Sequence, residues 1–240
     1  MKIFSKNYAL LASLLLSLSL MSGCATIKGE ADPEDPLESF NRAMYSFNDT
    51  LDRAILKPVA QGYNAALPEP VNKGVSNFFS NIDDVIVLFN DILQLKFDQT
   101  LSDGARIFFN TTIGLLGIFD VASGMDLPKH DEDFGQTLGY WGVDTGAYIV
   151  WPFFGPSNVR DTVGLIGDAY VNPLHDVEPS GDRTALSVVN VVDRRAGLLS
   201  ASKILEEAAL DPYLFVRDAY LQRRQSLVYD GNPPKQKFID

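Results

Sequence analysis

The stretch Asp133 to Asp161, DFGQTLGYWGVDTGAYIVWPFFGPSNVRD, holds both tryptophans of the chain, Trp141 and Trp151. Phe134, Tyr140, Tyr148, Phe153 and Phe154 accompany them, with glycines at 135, 139, 142, 146 and 155. Within it, the apolar run Ala147 to Phe154 is interrupted only by Pro152. A loop surrounded by water does not carry this much aromatic surface. A spanning helix needs about 20 apolar residues, so the run is too short for one. Two readings stay open. The stretch is the inner wall of a protein core, or it lies at a membrane interface, where Trp and Tyr rings keep one edge wet.

The segments around it read as helices. Upstream, Leu37, Phe40, Met44, Phe47, Leu51 and Ile55 recur at helical spacing and form one apolar stripe. Asp35 is placed to cap this helix, with Pro36 and Glu38 in its first turn, and Lys57-Pro58 marks its expected end. Pro68-Glu69-Pro70 opens a second helix, and Asp83 is placed to cap a third, Val85 to Leu95, which is apolar almost all round. A fourth follows over Asp98 to Asn110, with Leu101, Ala105, Phe108, Phe109 and Thr112 in line. Thr111 to Ala122 carries Gly114 and Gly117, and reads either as a closely packed helix or as a loop with apolar filling. Downstream, Ser157 is placed to cap a helix to Tyr170. A long helical region, Thr184 to Ala209, breaks near Gly197, and Asp211-Pro212 starts a last helix to about Tyr229. No run of useful length alternates at period two, which argues against a β-barrel of many strands. No internal repeat is present. The expected fold class is all-α, a single domain over residues 35–229, followed by a loose tail, 230–240.

The N-terminus sets the compartment. Lys2 and Lys6 precede an apolar run, Tyr8 to Met21, and then Ser22-Gly23-Cys24. This is the layout of a secretory leader over residues 1–23. The only cysteine follows the small pair directly, as in a bacterial lipobox, although Met21 stands where leucine is usual. Cys24 is therefore the expected site of lipid attachment, and residues 24–34 the tether. Ala25, rather than Asp, after the cysteine resembles Gram-negative lipoproteins sorted to the outer membrane. The leader holds two of the 20 basic residues and none of the 31 acidic ones, so the remainder carries a net charge of −13. Such a chain has no basic patch with which to displace phosphate counterions, which argues against nucleic acid. With no second cysteine, it has no disulfide.

Catalytic chemistry finds little support. Both histidines, His130 and His175, stand in polar turns, where an exposed or capping role is expected. There is no Gly-x-Ser-x-Gly elbow, no zinc-type histidine spacing and no Walker motif. Asp131, Glu132 and Asp133 lack the alternating layout of an EF-hand and read as a cluster leading into a helix. Arg194-Arg195 and Arg223-Arg224 read as solvated helix faces.

Several blocks, in consistent order, carry a family resemblance. They include Asp35-Pro36-Leu37-Glu38, Phe40-Asn41-Arg42, Lys57-Pro58-Val59-Ala60, Pro68-Glu69-Pro70-Val71 and Phe119-Asp120-Val121-Ala122. The densest are Asp133 to Gly139, Trp141-Gly142-Val143 and Gly155-Pro156-Ser157, and Asp211-Pro212-Tyr213 closes the series. Through them the sequence resembles the MlaA (VacJ) outer-membrane lipoproteins over about residues 34–224. That resemblance implies a ring-shaped helical domain embedded in the outer membrane, with acyl chains on Cys24 and no other cofactor or metal. It implies a central amphipathic channel that takes mislocalised phospholipid from the outer leaflet to a soluble periplasmic carrier (MlaC-like). Trimeric porins are the implied membrane partners, an ATP-driven inner-membrane complex continues the route, and no enzymatic reaction belongs to the chain. The residues put forward as the frame of the lipid path are Phe134, Gly135, Trp141, Gly142, Tyr148, Trp151, Pro152, Phe153, Gly155 and Pro156. For each, the alternative is packing between helices. Two other functions compete: a scaffold that binds porin and carrier without moving lipid, and a lipid hydrolase.

Overall fold

The computed structural model describes residues 35–234; the leader, Cys24, the tether and the end of the tail lie outside the described residues. Among the described residues the regular structure is helical apart from one short hairpin. Helix α1, Glu38–Leu51, runs through a π turn, Asp52–Leu56, into α2, Lys57–Ala66. Then come α3, Glu69–Leu93, α4, Phe97–Thr112, and the short α5, Phe134–Tyr140. Strands β1, Tyr148–Trp151, and β2, Gly155–Asn158, pair antiparallel, with Tyr148 opposite Asn158 and Trp151 opposite Gly155. Helices α6, Val159–Val171, α7, Ser180–Gly197, α8, Leu199–Ala208, and α9, Pro212–Val228, complete the domain. The contacts close into a circuit. α2 packs on α7, α7 on α3, α3 on α6, α6 meets β2, and β1 returns to α1. The result is a ring of helices, with α9 and α5 braced against its hairpin side.

Two expected helix boundaries are absent, each for a physical reason. Pro58 does not end the first helix. Proline lacks an N–H and its ring crowds the carbonyl four residues back. The π turn just before it widens the backbone, with the Lys57 N–H bonded to the Asp52 carbonyl, and the helix passes through. Asp83 does not cap a new helix; α3 is continuous over 25 residues. Aspartate interrupts helices by bonding the local backbone. Here Asp83 is drawn off by Arg194 at 2.7 Å, and Asp84 by Lys129 and by Arg106 at 3.6 Å.

Capping also differs at two places. Asp35 is no side-chain cap. It is buried, and its carboxylate accepts from Asn41 at 2.7 Å and from the Tyr213 hydroxyl. Ser157 lies in β2 instead, and Asn158 caps α6, its side chain accepting from the Asp161 N–H at 2.7 Å. The strands themselves are four residues each, too short to leave a period-two pattern in the sequence. The break near Gly197 and the Asp211 cap are both present, the latter accepting from Tyr213 and Leu214.

The distribution of polarity is inverted along the α3–α4 pair. Its seam buries Asn81, Asp84, Asp91, Asp103, Arg106 and Asn110. Its outer face exposes Phe89, Ile92, Leu95, Phe108, Phe97 (75%) and Leu101 (76%). The expected apolar stripe on α4 exists, but it points away from the protein. The following loop does the same, exposing Ile113, Leu115, Leu116, Ile118 and Phe119. It is a loop and not a helix, and its apolar residues point outward instead of filling it. Gly117 permits this path: its φ is +90°, and a Cβ there would stand 2.4 Å from the Asn81 Cβ. The dry part of the interior is small, with Tyr148, Val150 and Tyr213 packed against Met44, Tyr45 and Tyr220. Asn41, wholly buried, ties α1 to this cluster by donating to the Tyr148 carbonyl (3.0 Å) and accepting from the Val150 N–H (2.8 Å).

Candidate functional site

The central stretch is held by an ionic knot. Asp133 caps α5 by accepting from the Gln136 N–H at 2.8 Å. Arg224, from α9, donates to Asp133 at 2.9 Å and to Asp161 at 3.0 Å. The Tyr220 hydroxyl donates to the other Asp161 oxygen at 2.7 Å. Burial opposes the charges on Arg224 and Asp133, but their mutual contact outweighs it. The guanidinium is held above its ordinary pKa and the carboxyl below its own. Burial and the contact with Asp161 push the Tyr220 phenol up. Beneath the knot α5 crosses α6 at two glycines: a Cβ on Gly164 would lie 2.4 Å from the Gly135 nitrogen. One turn along α6, Asp168 accepts from the Phe134 N–H at 3.0 Å and from Asn90 at 3.1 Å. Burial and nearby Asp133 push its carboxyl up to about 6. Arg195 is half-buried and donates to Asp52 at 2.6 Å, so Arg195 and Arg224 each hold a structural ion pair while Arg194 and Arg223 remain exposed.

Two neighbouring clefts share His175. The first, of about 560 Å³, is walled by Trp151 and Phe154 from the hairpin and by Leu165, Ile166, Ala169 and Tyr170 from α6. Its Trp151 is oriented by a hydrogen bond from Nε1 to the Thr162 hydroxyl at 2.9 Å. The second, of about 750 Å³, lies between Leu56 of the π turn and one face of α7. That face is graded. Arg183, Thr184 and Ser187 come first, then Val188, Val191 and Val192. At 1.5 Å per residue the change from charge to hydrocarbon takes about 13 Å. Arg183 also donates to the His175 carbonyl at 2.9 Å, which fixes the junction of the two clefts. The arrangement is amphipathic along one path.

The residues put forward from the sequence divide into three groups. Trp151 lines the first cleft, beside Pro152, Gly155 and Pro156 in the hairpin. Phe134, Gly135 and Tyr148 belong to the support beneath it, Tyr148 wholly buried against Tyr213 and Tyr220. Trp141, Phe153 and Gly142 face elsewhere. Phe153 is 71% exposed and edge-on to Phe47 at 5.3 Å. Trp141, half exposed, stands edge-on to Phe134 and donates to the Leu93 carbonyl at 3.3 Å. Gly142 lines a separate polar cleft with Arg160 and Gln225. Sequence reasoning missed the α7 wall and the role of His175 as a junction. It also missed His130, whose Nδ1 lies 2.7 Å from the buried Asp103 instead of in solvent. Among the described residues no set of His, Cys, Asp and Glu side chains converges as a metal site would require.

Comparison with known proteins gives a consistent picture. The family described as MlaA lipoprotein matches residues 33–227. The intermembrane phospholipid transport system lipoprotein MlaA of Escherichia coli (strain K12) is 36% identical over 246 residues, covering 96% of this chain and 95% of that protein. Its Haemophilus influenzae counterpart of the same description is 34% identical, covering 97% and 95%. An uncharacterized protein of Rickettsia bellii is 35% identical, covering 91% and 88%. A solved chain from work on the structural basis for maintenance of bacterial outer membrane lipid asymmetry superposes with a TM-score of 0.71 at 34% identity. It covers 82% of this chain and 99% of its own length.

Proposed function

The chain belongs to the MlaA lipoprotein family, and from that premise we propose that it withdraws mislocalised phospholipid from the outer leaflet of the outer membrane through the interior of its ring. The observation that carries this reading is the closed circuit of helices with a wall graded from Arg183 to Val192. A phospholipid has one charged end and two hydrocarbon chains. The charged end needs hydrogen-bonding groups along its way, and the chains need a surface free of them. A path with both on one wall lowers the barrier for the whole molecule.

The inverted α3–α4 pair supports a seat in lipid. A large apolar side chain left in water forgoes roughly 1.5–3 kcal/mol of burial, and the outer face of this pair carries a row of them. In hydrocarbon that cost vanishes. No helix among the described residues is long and apolar enough to cross a membrane, and acyl chains on Cys24 give a second attachment. Trimeric porins and a periplasmic, MlaC-like lipid carrier are the partners this reading calls for, and it assigns no covalent reaction to the chain.

The test is capture of lipid at defined positions. A photo-crosslinking residue at Val191, in the second cleft, is expected to trap phospholipid in cells, and phospholipid is expected to co-purify with the detergent-extracted protein. Trapping at Leu101 on the outer face but never at Val191 would replace the channel by a scaffold seated in the bilayer.

A further inference from the structure

The seam between α3 and α4 contains a pair of acids that the lipid path does not use. Asp91, near the end of α3, is wholly buried, and neither of its carboxylate oxygens has a hydrogen-bond donor among the described residues. It faces Asp103 of α4, also wholly buried. One Asp103 oxygen lacks a donor too, while the other is 2.7 Å from His130 Nδ1. Two ionised carboxylates placed face to face out of water repel each other and leave their lone pairs unsatisfied. A metal ion would need more ligands than the pair supplies, and no third His, Cys, Asp or Glu converges there among the described residues. One proton meets the requirement: it neutralises one acid and turns two orphan acceptors into a donor and an acceptor.

We infer that Asp91 and Asp103 share a single proton in the folded protein, and that this proton keeps the strap formed by residues 129–133 closed over the α3–α4 seam. The strap is bound at three levels. Lys129 donates to Asp84, His130 meets Asp103, and Glu132 accepts from Gln94 and Lys96, both at 2.7 Å. Losing the shared proton puts a second negative charge on the pair, which Glu132 of the strap then faces with a negative charge of its own.

The other charges facing the pair do not remove the need for the proton. Lys96, in the turn between the two helices, is already shared between Glu132 and Asp230. Arg106, on α4, is turned towards Asp84 and Asp120. Glu132 adds negative charge from the strap side. Asp168, on α6, is engaged by Asn90 and the Phe134 N–H. Burial and then the contact with Asp103 push the Asp91 carboxyl up to about 8. A carboxyl raised in the folded state stabilises the fold fully below its ordinary pKa, and that contribution is lost as pH rises through the folded value. The strap runs directly into Asp133, the α5 cap held by Arg224, so its opening would reach the ionic knot.

The experiment uses the full, lipidated chain in detergent. Infrared difference spectra of the wild type should show a protonated carboxyl at about pH 7 that titrates away towards about pH 9. Asp91→Asn should lose that band. Its amide can donate to Asp103 at every pH, so its melting temperature should stay flat where the wild type falls by several degrees over the same interval. Absence of the band from the wild type overturns the inference even if the variant fails to fold. So does a variant that keeps either the band or the wild-type pH slope.

Discussion

Arg224 holds Asp133 and Asp161 with one guanidinium, at 2.9 and 3.0 Å, so the cap of α5 and the first turn of α6 are fastened to α9 by one side chain. Arg224 and Asp161 are largely buried, and Asp133 is partly so. Removing the arginine leaves Asp133 without its cation and Asp161 with only Arg160, at 3.0 Å, beside it. Arg224→Ala should cost about 3–5 kcal/mol, seen as a fall of roughly 10 °C in melting temperature for a chain of this size. Arg224→Lys keeps the charge but not the fork, and should cost roughly 1–2 kcal/mol. Equal melting temperatures for wild type and Arg224→Ala would show that the knot contributes nothing.

The two acids beside α5 predict opposite responses to pH. Burial raises the Asp133 carboxyl, but Arg224 outweighs it and the net shift is downward. Its contribution is present above the ordinary carboxylate pKa and lost as pH falls through the lower folded value. Asp168 is pushed up to about 6, so its contribution is greatest in acid and lost as pH rises through that value. Asp168→Asn keeps an oxygen to accept from the Phe134 N–H and should flatten the melting profile between about pH 4 and 6, leaving the loss below about pH 4 in place. A variant with the wild-type slope across that interval would count against the assignment.

Glycines of the same composition should respond with opposite signs. At Gly164 a Cβ meets the Gly135 backbone at 2.4 Å, and backbone cannot swing aside. Gly164→Ala should therefore destabilise by about 1–3 kcal/mol. Gly62, inside α2, has nothing within 4 Å of an added Cβ. Gly62→Ala should stabilise by about 0.5–1 kcal/mol through helix propensity alone. Thermal melts of the two variants settle both.

The helical elements were legible in the sequence wherever a local rule decides them. Asp211-Pro212 caps and starts α9 as read, because capping needs only neighbouring backbone. Asp83 and Ser157 misled because each side chain is drawn to a partner brought by folding: Arg194 for Asp83, Thr162 for Ser157. Periodicity located the stripe on α4 but not the side it faces. A repeat of 3.6 residues separates two faces without saying which meets the surroundings, and here Leu101 and Phe108 are the outer ones. In the central stretch, aromatic density pointed to Trp151, which does line a cleft, and equally to Phe153, which does not. The α7 wall could not be read at all. It becomes a wall only when α7 packs on α2, well over a hundred residues upstream, and nothing in Arg183 to Val192 taken alone distinguishes it from an ordinary amphipathic face.

The two clefts and the outer face should separate in cells. Val191 and Ala169 stand in the two clefts that meet at His175, while Leu101 stands on the outer face of α4. Val191→Asp places a carboxylate where acyl chains are to pass, at a cost of several kcal/mol to any lipid that must desolvate it. Ala169→Trp instead narrows the first cleft without adding charge. Both should raise phospholipid in the outer leaflet while protein level and membrane fractionation stay normal, since both positions border open space. Leu101→Ser should do the reverse. It makes the outer face more polar and should weaken retention of the extracted protein in lipid, with surface phospholipid unchanged as long as Cys24 is acylated. Protein level must be measured beside each readout, because a destabilised variant lowers abundance and mimics loss of transport. If Val191→Asp and Ala169→Trp accumulate normally and outer-leaflet phospholipid stays at the wild-type level, lipid does not pass through the ring, and the graded face of α7 serves as a docking wall for a partner protein.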